Sequence, residues 1–245
     1  MTTPTLLSVS ADAKTKKGEK IGVLTGILYL APAEISGYNV CPKSTNGCRK
    51  ACLYSAGRAG VFPMITEARI RKTKQFKENR DWFMEMLQRN IKSLVKKAEK
   101  KNMVPAIRLN GTSDIMWEKE DVIVDGINHP NLMTAFPDVT FYDYTKVIGR
   151  KIALALPNYH LTFSLAENND KTAWKAIEEG YSVAVVMNLS KKADKPITWK
   201  GYPVIDGDLS DVRFNDPAGH IVALTAKGKA RKDTSGFVRD WRINW

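Results

Sequence analysis

Residues 40–54 read VCPKSTNGCRKACLY, and this stretch holds all three cysteines of the 245-residue chain, at positions 41, 48 and 52. The Pro, Ser, Asn and Gly of its first half predict a loop. Cys48 and Cys52 are four residues apart, so a helical turn beginning near Cys48 would place both thiols on one face. With Cys41 folding back from the loop, the spacing predicts that three thiols converge on one point.

Three convergent thiols favour a metal site, because thiolates bind zinc and the iron of iron–sulfur clusters. Arg49, Lys50 and Arg58 lie close in sequence and would lower the thiol pKa values and offset thiolate charge. No histidine or fourth cysteine lies near in sequence, so one coordination position would stay open, which is typical of catalytic metal sites. Two alternatives remain: small buried apolar side chains, or a disulfide with one thiol left over.

Length and charge limit the class of protein. A chain of 245 residues with 43% hydrophobic content is long enough to form an ordinary core. No apolar run approaches the roughly 20 residues needed to span a bilayer, and the basic N-terminus lacks a signal-peptide stretch, so we expect a cytoplasmic protein with no membrane partner. The net charge of +12 favours a nucleotide or nucleic acid as partner.

The pattern of apolar segments predicts an α/β fold. Short β-rich runs alternate with helical segments, which predicts about six or seven mostly parallel strands in an open layer or a barrel. Residues 1–20 are interpreted as a basic N-terminal arm and 21–245 as a single domain. The expected strands are 27–30, 106–110, 140–145, 160–165, 182–187, 203–208 and 221–226. The expected helices are 63–101 with a break near 79–81, 117–126, 147–156, 171–180 and 237–245.

Polar side chains follow most of the predicted strands. Because the carboxyl ends of parallel strands meet at one edge, where the active sites of such folds lie, these side chains would surround the cysteines. They are Asn110, Ser113, Asp114, Lys146, Ser164, Glu167, Asp206 and Asp208. Each of them has a local alternative as a turn residue, a helix cap or a surface ion pair.

Two basic segments accompany this pattern. The loop 226–233 reads AKGKARKD and would wrap a phosphate or remain solvated. The basic residues within 69–77 are assigned to a solvated outer helix face.

The order of these motifs resembles the phage-encoded gene product 88-like proteins over residues 20–235. The likeness is carried by a strand and three-cysteine loop ending in CLY (52–54), by GR (57–58), and by NGTSD (110–114), YTK (144–146), DGD (206–208) and AKGK (226–229). That family in turn resembles small radical S-adenosylmethionine enzymes. Those enzymes build a partial TIM barrel and bind a 4Fe-4S cluster through three cysteines after the first strand.

The resemblance implies a partial TIM-like barrel, a 4Fe-4S cluster and S-adenosylmethionine as cofactors. Its implied cluster ligands are Cys41, Cys48 and Cys52. Asn110, Ser113 and Asp114 would hold the methionine amino group, and Ser164 and Glu167 would contact the ribose. The candidate catalytic residues are Lys146, Asp206 and Asp208. The implied reaction is reductive cleavage of S-adenosylmethionine to a deoxyadenosyl radical that abstracts a hydrogen atom from substrate.

The chain departs from the radical S-adenosylmethionine pattern, because it has Cys-x6-Cys-x3-Cys in place of Cys-x3-Cys-x2-Cys and no Gly-Gly-Glu after the second strand. The first hypothesis is an iron–sulfur enzyme that acts on a nucleotide or nucleic acid in the host cytoplasm. One alternative is a zinc-stabilised nucleic-acid-binding module without catalysis. Another is a metal-dependent nuclease that uses Asp114, Asp206, Asp208 and Asp211 as ligands.

Overall fold

The computed structural model describes residues 4–10, 13–190 and 193–242. Its strands are β1 (Leu7–Val9), β2 (Val23–Leu28), β3 (Val104–Arg108), β4 (Val122–Val124), β5 (Ile127–His129), β6 (Thr140–Thr145), β7 (Tyr159–Ser164), β8 (Ser182–Met187), β9 (Thr198–Trp199), β10 (Tyr202–Asp206) and β11 (Ile221–Thr225). Its α-helices are α1 (Ala13–Glu19), α2 (Asn46–Lys50), α3 (Pro63–Glu78), α4 (Arg80–Lys100), α5 (Leu132–Ala135), α6 (Lys151–Ala155) and α7 (Asp170–Glu178).

Nine strands form one sheet in the order β1-β2-β3-β6-β7-β8-β11-β10-β9, and β4 and β5 form a separate hairpin. Neighbouring strands from β2 to β10 are parallel, whereas the edge strands β1 and β9 pair antiparallel. The predicted mostly parallel α/β sheet is therefore confirmed. Closure into a barrel is not, because no strand pairing in the described residues joins β1 to β9.

Each of the seven predicted strands is present, with bounds shifted by up to four residues. The two additional strands of the nine-stranded sheet, β1 and β9, lie at its edges, and β4 and β5 form the separate hairpin. β1 belongs to the segment interpreted as an arm, and it joins the sheet because Leu6 and Leu7 are buried against it. Such short edge strands carry little sequence signal. As a result, the cysteine loop follows the second strand of the chain and not the first.

One face of the sheet is covered by α4. Phe83, Leu87, Ile91, Leu94 and Ala98 are buried at the predicted helical spacing. They belong to one apolar cluster with sheet side chains that include Leu24, Leu28, Ile107 and Phe141. The predicted break between the two long helices is confirmed at position 79.

The opposite face of the sheet is covered by the segment that connects β10 to β11. In this segment Asp211 forms an ion pair with Arg108 of β3 at 2.9 Å. Phe214 packs edge-on against Tyr142 of β6, with ring centroids 5.7 Å apart. Because successive side chains of a strand point to opposite faces, Arg108 and Tyr142 lie on the face away from α4.

Three expected helical segments differ in the structure. Residues 117–126 form a short 3-10 turn followed by the β4–β5 hairpin, because Asp125 and Gly126 adopt positive φ values of 52° and 80° that suit a two-residue hairpin turn. Helix α6 occupies only part of 147–156. The described part of 237–245 is not helical, since Arg239 instead pairs with Met187 as an isolated parallel bridge. Residues 243–245 lie outside the described residues.

Within the described ranges, no helix combines the length and the apolar composition needed to cross a lipid bilayer.

Candidate functional site

The cysteine loop runs from the end of β2 to the start of α3. Cys48 lies in the short helix α2, whose first turn is capped by Thr45: the hydroxyl oxygen of Thr45 accepts a hydrogen bond from the Cys48 N–H at 3.1 Å. Cys41 precedes this helix, and its thiol donates to the Thr112 carbonyl at 3.6 Å. The helix ends at Lys50, so Cys52 follows it instead of stacking on it.

No disulfide joins Cys41, Cys48 and Cys52, and each of them is partly exposed. Burial, together with the charges of Cys52, Asp114 and Cys48, raises the pKa of Cys41 to about 11. Burial and the charge of Cys48 also raise the pKa of Cys52, against the opposing positive charges of Arg69 and Lys146. These mutual effects place the three thiols in one electrostatic neighbourhood. The cysteine spacing predicts the closer arrangement in which they converge on one point, and that convergence is not seen among the described residues.

The described side chains do not form a preorganised metal-binding site. Across residues 4–10, 13–190 and 193–242, no group of three His, Cys, Asp or Glu side chains is arranged to hold a metal ion. The thiols share a neighbourhood without ligand geometry. Metal binding by all three cysteines therefore requires a different arrangement of the 41–52 loop.

The loop after β3 is built around Asn110. Its side-chain oxygen accepts hydrogen bonds from Ser113 Oγ at 2.8 Å, from the Ile115 N–H at 2.9 Å and from Trp117 Nε1 at 3.1 Å. Its backbone N–H donates to the buried carboxylate of Asp143 at 2.6 Å. The polar groups of Asn110 and Ser113 therefore point into the protein and shape the loop.

Asp114 is the residue of this loop whose charge acts on Cys41. It is 8% exposed, and its Oδ2 accepts a hydrogen bond from the Lys146 N–H at 2.8 Å. Its Oδ1 is buried without a hydrogen-bond partner among the described residues. An unpaired buried acceptor is costly, so this oxygen is available to a ligand that can donate a hydrogen bond.

Lys146 links the ends of β6 and β7. Its ammonium group donates to Ser164 Oγ at 2.8 Å and lies 6.0 Å from the centroid of the Phe237 ring. The positive charge of Lys146 also acts on Cys52. The structure therefore brings Lys146, Ser164 and Asp114 together beside the cysteines.

Glu167 holds the cysteine loop. Its carboxylate accepts hydrogen bonds from Thr45 Oγ1 and from the Gly47 N–H, each at 2.6 Å. Burial alone would raise the pKa of Glu167, but these hydrogen bonds outweigh it and hold the pKa below its ordinary value. A Cβ atom at Gly47 would lie 2.8 Å from this carboxylate, so glycine allows the close approach.

Asp206 and Asp208 lie in a separate ionic cluster at the end of β10. Asp208 pairs with Lys227 at 3.0 Å and with Lys195 at 3.4 Å, and its carboxylate also accepts the Thr225 N–H at 2.8 Å. Asp206 accepts the Asp208 N–H at 2.8 Å. The aspartates named as nuclease ligands are thus divided among three places: Asp114 lies at the thiols, Asp206 and Asp208 lie with lysines, and Asp211 lies with Arg108.

Arg69 of α3 is a residue of this neighbourhood that the sequence interpretation placed on a solvated outer face. It is 8% exposed, and its guanidinium carbon lies 4.8 Å from the centroid of the Tyr29 ring. The buried residues of α3 are Arg69, Thr73 and Phe76, a helical spacing of four and three. That periodicity is the signal that could have identified Arg69 in the sequence.

Exposed basic side chains lie on the cysteine loop and on the loop after β11, and the two loops touch each other. A Cβ atom on Gly228 would lie 3.0 Å from the Ala56 Cβ, so the loop after β11 contacts the end of the cysteine loop. The exposed basic residues of these two loops are Lys43, Arg49, Lys50, Lys227, Lys229, Arg231 and Lys232. The two loops therefore present positive charge to solvent.

Comparisons with known proteins place this chain in a family. Neither a search of curated proteins nor a search of solved structures found a match. A family model described as "Gene product 88" matches residues 5–240, which include every strand and α-helix of the structure. The chain belongs to the gene product 88 family of phage proteins.

Proposed function

We propose that the protein is an iron–sulfur enzyme whose cluster is held by Cys41, Cys48 and Cys52. In this proposal it uses S-adenosylmethionine to act on a nucleotide or a nucleic acid. The observation that carries the proposal is the shared neighbourhood of the three thiols, with Asp114 and Lys146 beside them, at the carboxyl edge of a parallel sheet.

The three cysteines are chemically suitable ligands for an iron–sulfur cluster. Three cysteines can supply soft thiolate ligands when metal binding displaces their protons, and no fourth cysteine exists in the chain, so one iron would keep a free coordination position. Arg69 and Lys146 supply positive charge close to Cys52, which offsets the charge of bound thiolates. When bound, the cluster would supply an electron and a site for ligand coordination.

The protein residues then have distinct roles in the proposal. Asp114 offers its unpaired Oδ1 to the amino group of S-adenosylmethionine. Lys146 contributes positive charge next to the reacting groups, and Ser164 positions it through their hydrogen bond of 2.8 Å. Asn110 and Glu167 have structural roles in the proposal. Asn110 shapes the loop after β3, and Glu167 shapes the cysteine loop.

The proposed substrate class follows from charge. The chain carries a net charge of +12, and exposed lysines and arginines lie on the cysteine loop and on the loop after β11, which contacts it. Phosphate groups of a nucleotide or a nucleic acid would be attracted to this edge, and the attraction would weaken as salt rises.

Metal content in cysteine variants tests the cluster ligands. We would purify the wild type and the Cys41→Ser, Cys48→Ser and Cys52→Ser variants without oxygen and measure bound metal per chain. An Asp206→Asn variant is the control, because Asp206 lies in the separate ionic cluster. Loss of metal in all three cysteine variants, but not in the control, supports the proposal, and equal metal content in all five proteins would contradict it.

Binding of a single-stranded oligonucleotide tests the substrate class. A Lys229→Glu, Lys232→Glu double variant should raise the Kd about tenfold or more and reduce its salt dependence. The matched control is Lys96→Glu with Lys97→Glu, which makes the same charge change on the exposed side of α4. Equal weakening by both double variants would show that overall charge, and not these loops, governs binding.

A further inference from the structure

Arg69 is a buried cation with unsatisfied donors. The residue is 8% exposed, and its Nε and Nη1 atoms are buried with no hydrogen-bond partner among the described residues. Burial lowers the pKa of Arg69, and the opposing influences come from Tyr29 and Cys52, which are not carboxylates. Because an uncompensated buried charge is costly, a protein keeps one where it serves a ligand.

The position of Arg69 is fixed by its neighbours. Its guanidinium carbon lies 4.8 Å from the centroid of the Tyr29 ring, and Tyr29 directly follows β2. One turn along α3, Thr73 accepts a hydrogen bond from the Ala31 N–H at 2.8 Å and donates one to the Arg69 carbonyl at 2.9 Å. These contacts hold the guanidinium at the carboxyl end of β2, where the cysteine loop begins.

We propose that Arg69 is an anion-binding residue of the cysteine site and that it holds an oxyanion, carried as a phosphate or a carboxylate by the ligand. A guanidinium donates hydrogen bonds to oxyanions in a fixed geometry. The two unpartnered nitrogen atoms provide such donors beside Cys52. This inference deepens the proposed function, since it adds an anion-binding position to the same site.

The experiment uses the full-length protein freed of metal, so that its result does not depend on cluster binding. Sodium phosphate and, separately, sodium acetate are titrated at constant ionic strength while Tm is measured. The variants are Arg69→Met, which removes the charge, and Arg69→Lys, which keeps it. Arg71→Met is the control, because Arg71 is exposed on the same helix.

We expect phosphate or acetate to raise the Tm of the wild type and of Arg71→Met in a saturable way, because ligands of the folded state stabilise it. Arg69→Met should lose at least about tenfold in apparent affinity for the anion, and Arg69→Lys should lose less. Without added anion, Arg69→Met should be as stable as the wild type or more stable, since it removes an unpaired buried charge.

Three results would overturn the inference. The first is an anion response of Arg69→Met equal to that of the wild type, and the second is no response of the wild type to either anion. The third is an Arg69→Met protein that unfolds or has a lower Tm without anion, which would make Arg69 structural. A positive anion response in a protein that never binds iron would reject the proposed cluster and leave this inference standing.

Discussion

The carboxylate of Glu167 accepts a hydrogen bond from the backbone N–H of Gly47 at 2.6 Å, across 120 positions of the sequence. The same carboxylate accepts the Thr45 hydroxyl at 2.6 Å, and Thr45 in turn caps the helix that carries Cys48. A residue after β7 thereby fixes the conformation of the cysteine loop after β2.

Replacing Glu167 with alanine should loosen the cysteine loop. The variant loses two hydrogen bonds, each contributing about 1 kcal/mol to stability. We therefore expect faster hydrogen exchange at residues 45–50, measured by mass spectrometry, and a free energy of unfolding lower by about 2 kcal/mol. Glu178→Ala on α7 is the control, because Glu178 is exposed. Unchanged exchange at residues 45–50 would show that Glu167 does not hold the loop.

Replacing Gly111 with alanine should disturb the junction between β2 and the loop after β3. A Cβ atom at this position would lie 2.7 Å from the Leu28 carbonyl oxygen and from side-chain atoms of Ile27 and Tyr29. Because the backbone of β2 cannot move aside easily, we expect the free energy of unfolding, measured in urea, to fall by about 1–3 kcal/mol.

Gly18→Ala is the matched control for Gly111→Ala. Gly18 lies in helix α1, where a Cβ atom would meet its nearest neighbour at an ordinary 3.4 Å. Alanine also favours helix over glycine, so this variant should be neutral or stabilising. Equal destabilisation by the two variants would contradict the close contact at Gly111.

Asp143 should make stability depend on pH. Burial raises its pKa from 3.8 to about 7, against the opposing effect of the hydrogen bond from Asn110. Between these two pH values the folded state holds a proton that the unfolded state has released. This contribution to stability is therefore full below pH 3.8 and falls as pH rises to about 7.

The test of Asp143 compares the wild type with Asp143→Asn in urea unfolding at about pH 5 and about pH 8. The wild type should lose more stability between these pH values than the variant, because asparagine does not titrate. Parallel pH profiles of the two proteins would contradict the raised pKa.

Removing Asp211 should destabilise the protein strongly. Its partner Arg108 has a side chain only 14% exposed, and the two groups are 2.9 Å apart. Asp211→Ala leaves the Arg108 cation without its carboxylate partner. The free energy of unfolding, measured in urea, should therefore fall by about 3–5 kcal/mol. Adding Arg108→Met should recover most of the loss, and a double-mutant cycle measures the coupling. If the double variant lost as much unfolding free energy as the two single variants together, the result would argue against a buried pair.

The fold could be predicted from the sequence where periodicity was strong. The spacing from Phe83 to Ala98 predicted α4, and the apolar runs predicted the seven central strands. The hairpin at 122–129 was missed, although Asp125-Gly126 between β-branched residues is a hairpin signal. The edge strands were missed because their pairing depends on contacts with distant residues.

The candidate site could be predicted only in part. Clustering in sequence predicted the neighbourhood of the three cysteines, and strand ends predicted that Asp114 and Lys146 would lie near them. The hydrogen bonds of Glu167 to the cysteine loop could not be predicted, since they join segments that only the fold brings together. The pairing of Asp208 with Lys195 and Lys227 depends on the fold in the same way.

The iron and acid-labile sulfide content of protein purified without oxygen, together with its absorption spectrum, tests the central claim most directly. The proposal predicts about four iron and four sulfide per chain with broad visible absorption, all lost in Cys48→Ala. One zinc per chain without iron or sulfide would contradict the iron–sulfur enzyme and favour a zinc-stabilised module that binds nucleic acid.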